Sequence, residues 1–483
     1  MTARQTETLF YAVRGRVLLK YLGMLGVVLA VLNSVPLVAA VVLGEAGLAG
    51  PYALIVILLL AAGLPLARMA APERLQLNEA LVVVVLAFIL GSLAMSYPLG
   101  VTSRSWLDGW FEAVSGITTT GLSTAASVED KPRSFLFARA WMQWYGGLGI
   151  VILSLALFMH SGVAARRLMD TEATGDTLVS TTRVYARRIL VVYGILTACA
   201  VGSVWLAADD GFVALAHGLS AVSTGGFSTF DDSLARLDSM TISLLMLFSW
   251  LGAVSFALYH GIWAKGPGVL LQDPELRALV VATLLLSALL YLWMPVGNGG
   301  WLDALMLGMS TQSTTGFSTF AIEDLDDASK LAMIGSMLVG GNVGSTAGGF
   351  KLLRLLLLLR LLQLVLARAT AARHAVIDAR LGGRRVDDQD LWRATLLMLM
   401  FVLLVFMSWL AFVAHGYPAL NALFEVVSAT GTVGLSTGIT RPDLEPLLKV
   451  ILCIDMLAGR VEILALLVVL YPSTWFGKRA EAL

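Results

Sequence analysis

The sequence predicts an all-α integral membrane protein: an N-terminal two-helix hairpin followed by four pseudo-symmetric repeats, each a helix, a re-entrant loop and a returning helix. Two observations carry this. First, 58% of the 483 residues are hydrophobic and 14% are charged, where a soluble domain has about 25% charged residues. Apolar runs near 20 residues, the length that crosses a ~30 Å hydrocarbon core, recur along the whole chain. Second, one pattern comes back four times without a gap: Ser115-Gly-Ile-Thr-Thr-Thr-Gly-Leu-Ser-Thr124, Ser220-Ala-Val-Ser-Thr-Gly-Gly-Phe-Ser-Thr229, Ser310-Thr-Gln-Ser-Thr-Thr-Gly-Phe-Ser-Thr319 and Ser428-Ala-Thr-Gly-Thr-Val-Gly-Leu-Ser-Thr437. Successive copies lie roughly 90 to 120 residues apart, so each belongs to a supersecondary unit larger than a solenoid repeat.

The hairpin, in residues 1–76, uses the runs Lys20 to Gly44 and Tyr52 to Met69. The first is too long for a signal-peptide core and no small-residue cleavage pattern follows it, which predicts a retained helix. Repeat 1 (77–165) leads with Ala80 to Met95, carries a short helix at Trp106 to Ser115 and returns with Phe137 to Met159. Repeat 2 (166–265) uses Ile189 to Ala207, Phe212 to Ser220 and Thr241 to Trp263. In repeat 3 (266–370) the segments are Leu279 to Met294, Trp301 to Ser310 and a long run from Leu331 to Leu366. Repeat 4 (371–483) has Ala394 to Ala414, Ala419 to Ser428 and Leu447 to Tyr471. Two helices plus four pairs give ten spans.

The short helices have about ten residues, hence ~15 Å, half a bilayer. Non-helical backbone at membrane depth survives only where protein buries it or where it lines a water-filled cavity. Each motif is therefore expected to dip in from one side and return. Most of the 33 Lys and Arg residues fall on one side if the N-terminus is cytoplasmic, which sets that orientation and opens the motifs outward. Outer links carry acid instead: Glu129 and Asp130, Asp231 and Asp232, Glu323, Asp324, Asp326 and Asp327. A negative vestibule concentrates cations, although a solvated acidic loop explains any single link equally well.

The residues inside the motif are glycines and small side chains, most of them hydroxylic: Thr118, Thr119, Thr120 and Gly121; Ser223, Thr224, Gly225 and Gly226; Ser313, Thr314, Thr315 and Gly316; Thr432, Val433 and Gly434. They offer oxygen rather than an acid, a base or an activated nucleophile. Glycine free to take unusual φ/ψ lets a loop turn its carbonyls toward an axis. Four such loops around a central pore make stacked carbonyl rings that replace the hydration shell of a monovalent cation, as the four TVGYG loops of potassium channels do. Glu112 and Glu425 sit equivalently in two short helices, either to hydrogen-bond the loop backbone or as charges at the outer interface.

With these motifs the chain resembles the Trk, Ktr and HKT superfamily of potassium transporters, from about residue 20 to the end, and the two extra N-terminal helices resemble its bacterial TrkH branch. In that family four filter glycines favour potassium and a serine at one of them accompanies sodium transport; Gly121, Gly226, Gly316 and Gly434 are all glycine. The resemblance implies K+ as the transported ion, bound at the filter residues, with no cofactor in this chain. It also implies a homodimer in the bacterial inner membrane, contacting lipid but no nucleic acid. A separate cytoplasmic nucleotide-binding subunit of the TrkA type would serve as regulator.

In Gly340-Gly-Asn-Val-Gly-Ser-Thr-Ala-Gly-Gly349 five glycines fall in ten residues. Each disfavours helix by ~1 kcal/mol relative to alanine, so the long third return helix is expected to break there. A phosphate-binding loop fails because Phe350 stands where Lys is needed. Close helix packing through small residues is a competing reading. The resemblance makes the stretch an intramembrane gate beneath the filter, with Gly340, Gly341, Asn342, Gly344, Gly348, Gly349 and Lys351, and makes Arg460 an electrostatic barrier below it. Arg460 can equally pair with Asp455 or Glu462, which interrupt the same apolar run.

The remaining signals are weak. Cys199 and Cys453 lie in apolar runs, where cysteine behaves as a small hydrophobe. The five histidines, His160, His217, His260, His374 and His415, have no metal-ligand spacing. No enzyme is expected, since no loop pairs an acid with a base. Coupled symport with H+ or Na+, and a non-conducting receptor or scaffold, remain as alternatives to potassium translocation.

Overall fold

The computed structural model describes residues 12–72, 75–158, 178–294, 300–370, 380–382 and 384–476. Met159, the boundary at 165–166, His160 and His374 lie outside them. Almost all regular structure is helical; the strands among the described residues are a two-residue antiparallel pair, Arg380–Leu381 with Arg384–Arg385. The chain divides into two compact parts, one of residues 1–114, 131–138 and 461–483, the other of 115–130 and 139–460.

In the first part α1 (Gly15–Val42) and α2 (Ala46–Ala67) form the hairpin and meet α3 (Leu77–Gly100). The hairpin packs closely because its crossing lacks side chains: a Cβ on Gly63 would meet the Gly23 carbonyl and the Val27 amide at 3.0 Å. The start of α3 is capped reciprocally. Glu79 accepts from the Gln76 amide at 2.9 Å and holds Arg14 through Nε at 2.8 Å and Nη2 at 2.9 Å. The short helix α4 (Trp106–Ile117) runs into the first motif.

The second part holds repeats 2 and 3, repeat 4 as far as Arg460, and the first motif loop, whereas residues 461–483 belong to the first part. Past α5 (Arg133–Phe158), repeat 2 has α6 (Leu178–Ala208), α7 (Gly211–Val222), α8 (Ser239–Gly252) and α9 (Phe256–Lys265). Repeat 3 follows α10 (Gly268–Gln272) with α11 (Pro274–Trp293), α12 (Trp301–Gln312), α13 (Asp327–Val339) and α14 (Leu352–Thr370). Repeat 4 has α15 (Asp388–Ala414), α16 (Ala419–Thr430) and α17 (Pro446–Val461), and the chain goes on to α18 (Ile463–Leu470) and α19 (Pro472–Trp475). Aspartates start several of these helices: Asp210, Asp238, Asp273 and Asp326 each accept from amides in the first turn.

Six helices among the described residues are long and apolar enough to cross a membrane, the hairpin pair and the four leading helices. The return helix of repeat 1 runs unbroken from Arg133 to Phe158, and the other three return segments are interrupted. In repeat 2 the run Thr241 to Trp263 is bent by 90° between Gly252 and Phe256. In repeat 3 the glycine-rich stretch breaks the helix as expected, between Val339 and Leu352. In repeat 4 the run ends at Val461 and restarts at Ile463, with Glu462 at φ 63°.

Two of these breaks satisfy each other's backbone groups. Asn342 N–H donates to Ala253 O at 3.1 Å, Thr346 N–H to Gly252 O at 3.1 Å, and Phe256 N–H to Gly344 O at 3.0 Å. The repeat 3 loop closes on itself through Phe350 N–H to Leu338 O and Lys351 N–H to Val339 O, both 2.9 Å. Irregular backbone survives at membrane depth only when paired in this way.

Candidate functional site

All four motif loops lie in the second compact part, and they share one backbone solution. In each, the amide five residues after the leading serine donates to that serine's carbonyl: Thr120 to Ser115 at 2.9 Å, Gly225 to Ser220 at 2.8 Å, Thr315 to Ser310 at 2.9 Å and Val433 to Ser428 at 2.8 Å. The amide before it donates to the residue after the serine, at 2.9–3.1 Å in every copy. This is a Schellman ending, whose C′ residue takes left-handed backbone and is ordinarily glycine. Here the position is Thr119, Thr224, Thr314 and Thr432, at φ 54°, 51°, 56° and 50°. A β-branched residue in that region is strained by about 1–3 kcal/mol. Four recurrences at one register mark a demand of the site rather than of the helix.

Two residues on, Gly121, Gly226, Gly316 and Gly434 also have positive φ, from 75° to 95°. Each lies against the next loop. A Cβ on Gly121 would collide with the Gly225 carbonyl, one on Gly226 with that of Thr315, one on Gly316 with that of Val433, and one on Gly434 with that of Thr120, every contact falling under 3.0 Å. The circuit runs through all four repeats and closes on the first. Each loop is thus packed glycine to carbonyl against the next.

In two of the loops hydroxyl side chains pair with each other. Thr118 and Thr120 share a hydrogen bond of 2.8 Å, and Ser313 and Thr315 one of 2.7 Å. Repeat 2 has glycine at the corresponding place, Gly225, because Gln143 from α5 occupies the space a side chain would need. Its Nε2 donates to Gly225 O. Its Oε1 accepts from Ser220 Oγ at 2.8 Å and from Phe227 N–H at 3.2 Å. Sequence reasoning missed Gln143; the one available signal was a second glycine in a single copy of the motif.

Each short helix ends where its motif loop begins, and the C-terminal end of a helix dipole favours a cation. Beneath them sits the loop between α13 and α14. Gly340, Gly344, Gly349 and Lys351 have φ of 68°, 73°, 71° and 76°, and Gly341 packs on Ala253 and Ala347. The loop touches three of the four helix ends. Thr346 Oγ1 donates to Val222 O at 3.2 Å, Gly348 N–H to Thr314 Oγ1 at 2.6 Å, and Gly349 N–H to Gly431 O at 3.1 Å. Gly348 has no room for a Cβ against Gly431 O and Thr432 Oγ1. Asn342 is buried with both amide atoms unpartnered.

Arg460, buried at 3% exposure, donates from Nη1 to Thr346 O at 2.7 Å, while its Nε and Nη2 have no partner. It does not pair with Asp455, whose Oδ1 accepts from Ser408 Oγ at 2.8 Å. Of the acidic outer links, Glu129 and Asp232 are paired with Arg236 at 2.8 Å, and Asp231 holds Ser127 Oγ and the Val128 amide at 2.8 and 2.6 Å. These acids tie the outer loops of repeats 1 and 2 together, which lowers the free negative charge the sequence implied.

Comparison with known proteins gives the family. The family profile described as TrkH, cation transport protein, matches residues 52–476. The potassium uptake protein TrkH of Escherichia coli K12 is 30% identical over 423 residues, covering 83% of this chain and 87% of that one. TrkH of Vibrio parahaemolyticus is 31% identical over 417 residues, covering 82% and 85%. The crystal structure of the potassium transporter TrkH from Vibrio parahaemolyticus superposes with a TM-score of 0.86 at 26% identity, over 96% of this chain and 100% of that one. The chain is a multi-pass membrane protein that belongs to the TrkH family of cation transport proteins.

Proposed function

We propose that this protein carries potassium across the bacterial inner membrane through the four-loop ring. The closed circuit of glycine-to-carbonyl contacts supports this reading most strongly. Carbonyls of Thr120, Gly225, Thr315 and Val433 form one level of oxygens that takes over from water around a dehydrated K+, and the strained threonines before them supply the neighbouring level. The loop from Gly340 to Lys351 closes the inner side. Arg460 holds Thr346 and places a cationic group in the ion's path, so passage requires that tie to open.

The N-terminus is cytoplasmic in this reading, and the bound ion is cargo rather than cofactor. The chain works as a homodimer within a Trk system, opened by a nucleotide-binding TrkA-type subunit on the cytoplasmic side. It is a transporter and not an enzyme. The test is rubidium flux into liposomes holding the purified protein, with potassium, sodium and lithium as competitors. Strong inhibition by potassium and weak inhibition by sodium and lithium is expected; no flux, or equal inhibition by all three, overturns the proposal.

A further inference from the structure

Glu425 lies in α16, three residues before the leading serine of the fourth motif, and is fully buried. Its carboxylate receives the strand that follows the filter. Oε1 accepts from Ser436 Oγ at 2.5 Å, Thr437 N–H at 3.0 Å, Ile439 N–H at 3.1 Å and Thr440 N–H at 3.4 Å, and Oε2 accepts from Thr440 Oγ1 at 3.0 Å. One side chain thus fixes residues 436–440, which begin two positions after Gly434.

The other repeats fasten the same place differently. Repeat 2 has His217 at this register, its Nε2 3.0 Å from Ser228 Oγ, and Ser228 corresponds to Ser436. Repeat 3 has Leu307, and its Ser318 is held from outside instead: its amide donates to Ser233 Oγ at 3.2 Å and its carbonyl accepts from Leu234 N–H at 3.0 Å. Repeat 1 has Glu112, also buried.

Resting on the filter reading above, we propose that Glu425 is a positioning residue that sets discrimination between potassium and sodium by fixing the outer half of the fourth filter strand. A carbonyl ring distinguishes ions of the same charge only if its oxygens resist collapsing onto the smaller one. One buried side chain that accepts from both the backbone and the hydroxyls of residues 436–440 holds that segment at several points at once. Position rather than charge is the operative property, because the carboxylate's acceptor capacity is turned onto the strand.

The experiment measures inhibition of rubidium flux by potassium and by sodium in proteoliposomes, at low and high ionic strength, for wild type, Glu425→Leu and Glu425→Gln. Glu425→Leu removes every acceptor and is expected to narrow the potassium-to-sodium preference about tenfold, the equivalent of ~1.4 kcal/mol. Glu425→Gln keeps Oε1 as an acceptor and is expected to restore most of the preference at both ionic strengths. A Gln variant as unselective as the Leu variant, or one that recovers only in high salt, assigns the effect to charge and overturns the proposal. So does an unchanged preference in Glu425→Leu.

Should Glu425→Leu fail to fold, the double variant Ser436→Ala, Thr440→Val takes its place, removing two donors and leaving the acid. It is expected to narrow the preference in the same direction, and an unchanged ratio overturns the proposal. Wild type without potassium-inhibited flux would instead sink the filter reading itself.

Discussion

Replacing Gly316 by alanine breaks the ring at one defined joint. Gly316 sits at φ 84°, where a residue with a Cβ is strained by about 1–2 kcal/mol. The added methyl also overlaps the Val433 carbonyl, and carbon and oxygen must separate to more than about 3 Å. Val433 O therefore has to retreat by about 1 Å or more, which withdraws one oxygen from the ion. A polar contact to a charged group is worth about 1.5–3 kcal/mol, so the apparent affinity for potassium should fall about 10- to 100-fold at ~1.4 kcal/mol per decade.

Competition by potassium against rubidium flux in proteoliposomes measures this directly. Gly335→Ala is the matched control: it lies within helix α13 with nothing within 4 Å of its added Cβ. It should leave affinity unchanged and, if anything, raise stability by about 0.5–1 kcal/mol. A Gly316→Ala protein that folds and binds potassium within about twofold of wild type, well under the ~1 kcal/mol a lost contact requires, would refute the packing argument.

Other perturbations have equally definite outcomes. Arg460→Gln removes the guanidinium that the proposal places in the ion's path and weakens the 2.7 Å tie to Thr346 O; rubidium flux without any regulatory subunit should rise several-fold, and unchanged basal flux would contradict the gate reading. Gln143→Leu strands Ser220 Oγ and Phe227 N–H, each unsatisfied group costing about 1–3 kcal/mol, so the thermal midpoint should drop and selectivity weaken. Gly225→Thr collides with the Gln143 amide and should abolish flux, whereas adding Gln143→Ala should restore part of it. Independent effects in that double-mutant cycle would show that the two residues do not share the space. Glu79→Ala removes the two-pronged acceptor of Arg14 and should destabilise the hairpin by about 1.5–3 kcal/mol, the range for hydrogen bonds to a charged group, read by thermal unfolding of the intact protein.

The motif's register was legible because four gap-free copies constrain one another, and the glycine at its seventh position implied the positive φ that the structure has at all four. The left-handed threonines were not legible, since a β-branched residue is the last expected at a Schellman position. Five glycines announced the break between Val339 and Leu352. Nothing comparable announces the breaks at Ala253 or Glu462. The first depends on amides of the distant intramembrane loop, a tertiary cause that local sequence does not carry.

Helix ends were misjudged where hydropathy was the guide. Helix α6 begins at Leu178 and not at Ile189, and α15 at Asp388 and not at Ala394, because apolarity marks the depth of the membrane while a helix continues into water as long as its own bonds hold. Gln143 was illegible for a related reason: one amide in an apolar helix gives no hint of a partner about eighty residues away, although a buried polar group needs one.

The measurement that bears most directly on the central claim is an anomalous-scattering map of crystals grown in rubidium. The ring predicts a rubidium peak enclosed by the carbonyls of Thr120, Gly225, Thr315 and Val433, lost in Gly316→Ala crystals. A map with no peak among those four oxygens, or with rubidium bound only elsewhere, would contradict the account.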